Sequence, residues 1–473
     1  MQEAEALHSR YNPLGEAERY VDSLALDRDI RFFILIEPGM GYLSASLRKK
    51  YPGSRIIALH AKALPELLPL ENHSDSYWFP GNGRSLRDFL EQEIPDAEAE
   101  LIKVIEWRPA LALYKEAYCF LLSETVEFIK QADASARTLK HFGQRWFRNF
   151  FSNLTLLSEL LYPTSFSFPV LITGAGPSLE ETIPLIRKER QNILLLAVSS
   201  SVAALKAGGL EADMIVSTDG GNWALLHLYE CFRGKETDLL CFAVSLNAAL
   251  PSQCKKSRLL LMSDGSLWQD LILQKLGVPF LRLPQRGTVS AAALDLAFVL
   301  TEGLVFLTGV DLSHKGIQTH ARPYSLDRLW EEKAGRFSPI YSQVFARSGL
   351  IQAGGSYDIY ASWFSRQLAA YPKRLYSLGS NNAVFSSLET SSLETTKSGK
   401  NRPVWKPLSI IINAFSIREA ILFLIEALEN PKYSTKLIEE LSPLIITGKN
   451  HSSPEELAEA ILSLTQPFFG FHG

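Results

Sequence analysis

The sequence predicts an α/β chain: a Rossmann-like parallel sheet, with a smaller N-terminal Rossmann-like module before it and a C-terminal helical tail after it. Three observations carry this. The run Val170-Leu171-Ile172-Thr173 stops at Gly174-Ala175-Gly176, and Pro177 and Ser178 open a helical stretch from Leu179 to about Arg190. Near-continuous apolar runs then recur at helix-length intervals, the pattern of parallel strands covered on both faces. Upstream, Arg31–Ile36, the turn Glu37-Pro38-Gly39-Met40-Gly41, a helix over 43–50 and the run Arg55–Leu59 repeat strand, glycine turn, helix and strand in miniature.

The stretch around Gly174 organises the rest. Proline suits the first helical position, where its missing N–H would be unpaired anyway. Free N–H groups and the positive end of the helix dipole converge there, and glycines let a ligand approach the backbone. The expectation is a phosphate-binding turn for a nucleotide-type substrate.

With 473 residues the chain exceeds one core and reads as several domains. Residues 1–160 form the N-terminal Rossmann-like and helical domain, 161–385 the catalytic domain, 386–403 a linker and 404–473 the helical tail. Hydrophobic residues make up 46% and charged residues 21%, an ordinary globular balance. The net charge of −3 lacks the basic face that a nucleic-acid footprint needs. The first residues are acidic, without the apolar core of a secretory signal, and no run reaches a membrane span of roughly 18–20 apolar residues. Cys119, Cys231, Cys241 and Cys254 show no C-x-x-C spacing and read as reduced thiols, so a cytoplasmic location is expected, with no nucleic-acid or membrane partner.

In chain order, the N-terminal glycine turn fits an adenosyl-cofactor module, but the next strand ends in Leu59-His60-Ala61 without the ribose-binding acid; a structural or acceptor-docking role fits better. Apolar residues three and four apart predict a long helix over 114–153, continued by Trp146, Asn149 and Asn153. Tyr162-Pro163-Thr164-Ser165 breaks it. The catalytic domain then shows strands at 192–198, 213–218, 239–243, 258–262 and 304–310, an apolar run at 278–283, an alanine-rich helix over 290–300, a helix around 358–370 and a strand over 374–378. Residues 385–403, with a tandem Ser-Ser-Leu-Glu-Thr, read as a flexible linker.

Ligands of a doubly wound sheet bind at the carboxyl ends of its strands. Every polar cluster sits at such an end: Gly174–Ser178, Ser199–Ser201, Ser217–Asn222, Arg286–Ser290 and Asp311–His314. A nicotinamide site is excluded, because Leu179 replaces the third glycine and the second strand ends in Ser199 rather than an acid. No P-loop, zinc spacing or G-x-S-x-G elbow is present. Group transfer from a nucleotide donor fits what remains. Plainer readings stand beside these residues: Asp219 and Asp311 as strand-end caps, Ser199–Ser201 as a helix cap, Thr288 and Ser290 as ordinary helix-start residues.

Ile172-Thr173-Gly174-Ala175-Gly176-Pro177-Ser178-Leu179 resembles the donor turn of the bacterial motility-associated factor (Maf) proteins. Ala212–Asp219, Gly287–Ser290 and Leu307–Leu312 complete that pattern in order, over about residues 165–385. The core is also similar to bacterial sialyltransferases with their Gly-x-Gly-Pro-Ser turn. The resemblance implies a glycosyltransferase-A-like core and a flagellin glycosyltransferase that moves a nonulosonic acid, a sialic-acid-like sugar, from its CMP form to serine or threonine. The CMP-sugar is then the donor substrate, with no further cofactor and no metal.

Carried over by position, Gly174, Gly176, Pro177 and Ser178 hold the CMP phosphate and ribose. Ser199 or Ser200 stands where the sialyltransferases use an asparagine. Thr288 and Ser290 add hydrogen bonds, Asp311 closes the pocket, and Asp219 faces the donor or acceptor hydroxyl. The sialyltransferase histidine base has no counterpart in Gly354-Gly355-Ser356-Tyr357-Asp358, which leaves Asp219, His320 or Asp358 as the base. Two other readings stay open: pyrophosphate transfer from ATP, as in the archaeal pterin pyrophosphokinases that share the turn, and a non-catalytic flagellin-binding factor.

Overall fold

The computed structural model describes all residues except 1–6, 27–29, 63–72, 234–239, 285, 313–314, 316–317, 341–360, 362, 365–372, 379–401, 447–451 and 470–473. The chain divides into two compact units, residues 1–141 and 142–473.

The first unit runs α1 (Pro13–Ser23), β1 (Phe32–Ile36), α2 (Tyr42–Lys50), β2 (Arg55–Leu59), β3 (Ser76–Trp78), α3 (Leu86–Glu93), β4 (Ile102–Glu106) and α4 (Pro109–Leu113). Its strands pair in parallel in the order β3-β2-β1-β4. All five β1 residues are buried, as expected of a central parallel strand.

Helix α5 (Lys115–Leu154) follows, within a residue of its sequence-expected bounds. The units divide inside this helix, not at the break near Tyr162. Phe147, Phe150 and Phe151 are fully buried against Trp268, so the last turns of α5 belong to the second core.

The second unit contains β5 (Glu159–Leu161), β6 (Val170–Thr173), α6 (Leu179–Lys188), β7 (Leu194–Val198), α7 (Val202–Ala207), β8 (Met214–Ser217), α8 (Ala224–Phe232), β9 (Cys241–Ser245), β10 (Arg258–Ser263), α9 (Leu267–Lys275), β11 (Leu281–Arg282), α10 (Val289–Leu300), β12 (Val305–Thr308), α11 (Asp327–Lys333), β13 (Leu375–Ser377) and β14 (Pro407–Ser409). The strands lie in the order β13-β12-β6-β7-β8-β9-β10-β5-β14, with β11 beside β10; all pairs are parallel except β14 on β5. The apolar run at 278–283 yields only the two residues of β11.

One face of this sheet is covered by α10. Its Ala291, Ala293, Leu294 and Ala297 pack with Val170 and Ile172 of β6, Leu194 and Leu196 of β7, and Met214 and Val216 of β8. Alternate strand residues supply that face, and the alanines let the helix lie close. The tail forms α12 (Ala414–Glu429), α13 (Ser434–Ile445) and α14 (Pro454–Phe469). It is built into the second unit: Gln144 donates to Ile445 O, and Trp268 N donates to Glu440 at 3.3 Å. The expected linker lies outside the described residues, Arg402 and Pro403 apart, and the expected helix at 358–370 is described only at 361, 363 and 364. Among the described residues no helix is long and apolar enough to cross a membrane. All four cysteines are free thiols; Cys231 and Cys254 are buried, which pushes both up to about 12, while Cys119 is exposed.

Candidate functional site

From β6 the chain adds strands in one direction through β10, then returns to place β12 on the other side of β6. The switch point therefore lies between β6 and β12, where such sheets open their ligand crevice. The glycine turn after β6 and the loop after β12 meet there.

They meet by direct contact. Gly174 N donates to Thr308 O at 2.8 Å, and Gly176 N to Gly309 O at 2.6 Å. A Cβ on Gly174 would overlap the Gly309 carbonyl, and one on Gly176 would lie 2.5 Å from Asp311 Oδ2. These glycines let two protein loops close on each other. Ser178 completes the closure: its hydroxyl donates to Asp311 Oδ1 at 2.5 Å, its N–H donates to Oδ2 at 2.8 Å, and Gly309 N donates to Ser178 Oγ at 3.2 Å.

This corrects the expected phosphate grip. The N–H groups of Gly174, Gly176 and Ser178 are already used within the protein, and the anion at the α6 N-terminus is Asp311. Burial pushes the Asp311 carboxyl up, while the Ser178 hydrogen bonds pull it down. Asp311 braces the turn.

A second segment is pinned across the same turn. Ala321 N donates to Ala175 O at 2.7 Å; Gln318 Nε2 and Arg322 N donate to Glu180 Oε1 at 2.6 and 2.7 Å. His320 is thereby held beside the turn, half-buried, with Nδ1 2.9 Å from Thr319 Oγ1. Its ring stacks on Tyr324 with centroids 3.9 Å apart and planes at 7°. Tyr324 packs against Ala175, and its hydroxyl lies 3.4 Å from His227 Nε2 on α8. Burial lowers His227 to about 4, so this imidazole is neutral. Sequence reasoning missed His227 and the ring stack; the one available signal was His320 and Tyr324 in a single short polar stretch.

The other expected residues are spread along the same edge. Ser199 is buried and Ser200 half-buried in a 3₁₀ turn at the end of β7. Their neighbour Ser201 ties the strands, its hydroxyl donating to Val198 O at 2.8 Å and Thr173 O at 3.1 Å. Asp219 is exposed after β8, two strands from β6 and so about 10 Å along the sheet. Its Oδ1 accepts from Gly221 N at 2.7 Å. Helix α5 fixes this loop and the next: Asn149 Nδ2 donates to Gly220 O and Asn247 O, Asn153 Nδ2 donates to Leu246 O and Ala248 O, and Gly220 leaves room for the Trp146 ring. Thr288 caps α10, its hydroxyl accepting from Ser290 N at 3.1 Å, with Ser290 half-buried. Because α10 leads into a parallel strand, this end also lies at the carboxyl edge. Asp358, like His314, lies outside the described residues.

The glycine turn of the first unit also lies at a switch point, between β1 and β4. The chain fills it with its own residues. His8 Nε2 accepts from Met40 N at 3.0 Å, Glu37 accepts from Gly39 N at 3.3 Å and from Ala61 N at 2.5 Å, and the His8 ring stacks 5.5 Å from Trp107. A cavity of about 870 Å³, bounded in part by Ala25, Ile30, Lys50 and Tyr51, opens at the opposite end of that sheet.

A family model described as 6-hydroxymethylpterin diphosphokinase MptE-like matches residues 144–316. The chain is similar to uncharacterized proteins of Treponema pallidum (strain Nichols). One is 27% identical over 313 residues, 66% of this chain and 67% of the relative. Another is 30% identical over 116 residues, 24% of this chain and 54% of the relative. Among solved structures, the Maf glycosyltransferase from Magnetospirillum magneticum AMB-1 superposes with a TM-score of 0.52 at 12% identity, covering 97% of this chain and 83% of that one. The chain has the Maf fold. The sequence resemblance to the Maf proteins is thus a likeness of fold over nearly the whole chain, and it includes both the N-terminal module and the helical tail. The sialyltransferase CstII from Campylobacter jejuni, solved with cytidine-5'-monophosphate, is similar over 54% of this chain and 98% of that one, at 12% identity and a TM-score of 0.28.

Proposed function

We propose that the chain is a glycosyltransferase that moves a nonulosonic acid from its CMP form to a serine or threonine hydroxyl of flagellin, acting in the cytoplasm. The observation that carries this reading is the His320 segment pinned across the glycine turn at the switch point of a Maf-fold sheet. There a titratable imidazole, an exposed carboxylate at Asp219 and the hydroxyls of Ser199, Ser200 and Ser290 line one edge.

The Ser178–Asp311 brace redirects the donor. Its phosphate lies along the rim, on Ser200, with buried Ser199 behind it and Gly174, Gly176 and Pro177 shaping the floor. Thr288 acts through its helix, holding Ser290 at the edge. The transfer is an inverting displacement. The acceptor oxygen attacks the anomeric carbon, the bond to the CMP phosphate breaks, and CMP leaves with the electron pair. The acceptor proton passes to His320 or Asp219, whichever faces the hydroxyl. Asp358 remains a third candidate on sequence grounds alone.

The test is transfer from a CMP-nonulosonate to purified flagellin, with His320→Gln and Asp219→Asn. Loss in one variant with donor binding intact identifies the base; unchanged transfer in both removes the assigned chemistry. The match to the pterin diphosphokinase family model favours a second reading, pyrophosphate transfer from ATP to a pterin. ATP-dependent consumption of a hydroxymethylpterin by the full chain would select it.

A further inference from the structure

An indole pairs a large apolar face with a polar N–H, so one left half-open beside a candidate site offers a ligand a flat contact. Trp223 is 56% exposed. It stands at the start of α8, directly after the β8 loop that carries Asp219, and so at the carboxyl edge of the sheet. His227 lies one helical turn further on, on the same face of α8. From His227 the rings continue through Tyr324 to His320 beside the glycine turn. Trp223 stands one turn before this group in sequence and faces solvent.

Its ring face has a charged neighbour. Lys333, at the end of α11, places its ammonium 5.4 Å from the Trp223 ring centroid. Among the described residues no carboxylate pairs with Lys333. A cation over an indole is favourable, which holds the ammonium there while leaving its charge available. An aromatic face packs against the C–H face of a pyranose ring, and an unpaired ammonium takes a carboxylate. The two together fit a sugar ring that carries an acid group.

We propose that Trp223 and Lys333 form a sugar subsite at this edge that takes a pyranose bearing a carboxylate. Its place in a reaction rests on the transferase reading; its binding chemistry does not. The subsite makes the enzyme choose acidic over neutral sugars. The nucleotide half of the donor stays on the β6–β7 side, so the two halves separate by mutation.

The experiment is calorimetric titration of the full chain with CMP, CMP-N-acetylneuraminate, free N-acetylneuraminate and N-acetylglucosamine. Each is titrated into the wild type, Trp223→Ala and Lys333→Gln. Trp223 and Lys333 are both exposed, and Lys333→Gln keeps the stem while removing the charge. The expected result is that both variants weaken the CMP-sugar about tenfold and leave CMP unchanged, with N-acetylneuraminate preferred over N-acetylglucosamine only in the wild type. Equal affinity of all three proteins for the CMP-sugar and for free N-acetylneuraminate would overturn the subsite. If CMP fails to bind the wild type while the acidic-sugar preference persists and falls with Lys333→Gln, the subsite stands and the CMP-donor reading is the one that fails.

Discussion

Ser178 gives both of its donors to one carboxylate, the hydroxyl at 2.5 Å and the backbone N–H at 2.8 Å from Asp311, across 133 residues of sequence. That pair joins the two loops of the switch point. A turn whose glycines suggest a ligand is held closed from inside. The Ser178→Ala variant leaves Asp311 half-buried with one donor lost, and a cost of about 1–3 kcal/mol is expected in urea unfolding. If the hydroxyl served an external phosphate instead, stability would be unchanged.

The glycines give a steric prediction. Gly176→Ala places its Cβ 2.5 Å from Asp311 Oδ2, against a carboxylate already fixed by Ser178. A loss of about 1–3 kcal/mol is expected from overpacking. Gly53→Ala, where a Cβ meets nothing within 4 Å, is the matched control and should stay within about 0.5 kcal/mol. Thermal melts of the two variants side by side check this.

His227 predicts a pH dependence. Its folded pKa of about 4 lies below the ordinary 6.5, so the unfolded chain binds more protons between those values. Stability contributed by the neutral imidazole is full above pH 6.5 and is lost as pH falls toward 4, by up to about 3 kcal/mol. In His227→Phe the melting temperature should fall less steeply over that window. An identical slope in both proteins would remove His227 from the account.

Glu440 works in the opposite sense. Burial raises it to about 6, although it accepts from Trp268 N and lies near Lys436. The folded state binds more protons here, so this contribution is full below about pH 4.5 and is lost as pH rises through 6. Glu440→Gln keeps an acceptor for α9 without the buried charge. It should raise stability above pH 6 by up to about 2 kcal/mol, read from denaturant midpoints at pH 5 and pH 7.5.

Much of the architecture was legible because it is written in period and punctuation. Apolar runs ending at Thr173, Val198, Ser217 and Thr308 are strands, and the apolar spacing from Lys115 onward gives a single long helix. Strands β3, β5 and β14, three residues each, carry too few positions for a pattern. The site was legible as a set of strand ends, since parallel topology brings them to one edge. Its interior was not. The glycines looked the same whether a phosphate or Asp311 filled the turn. His227 and His320, far apart in sequence, meet only through Tyr324, and His8 reaches Met40 from another element. Sequence patterns report local backbone, and these contacts are tertiary.

The central claim is that the switch-point edge binds a CMP-linked sugar. Calorimetric titration of the full chain with CMP, ATP and NAD tests it most directly. The account predicts saturable binding of CMP and none of ATP or NAD. Binding of ATP without CMP would contradict it and select pyrophosphate transfer.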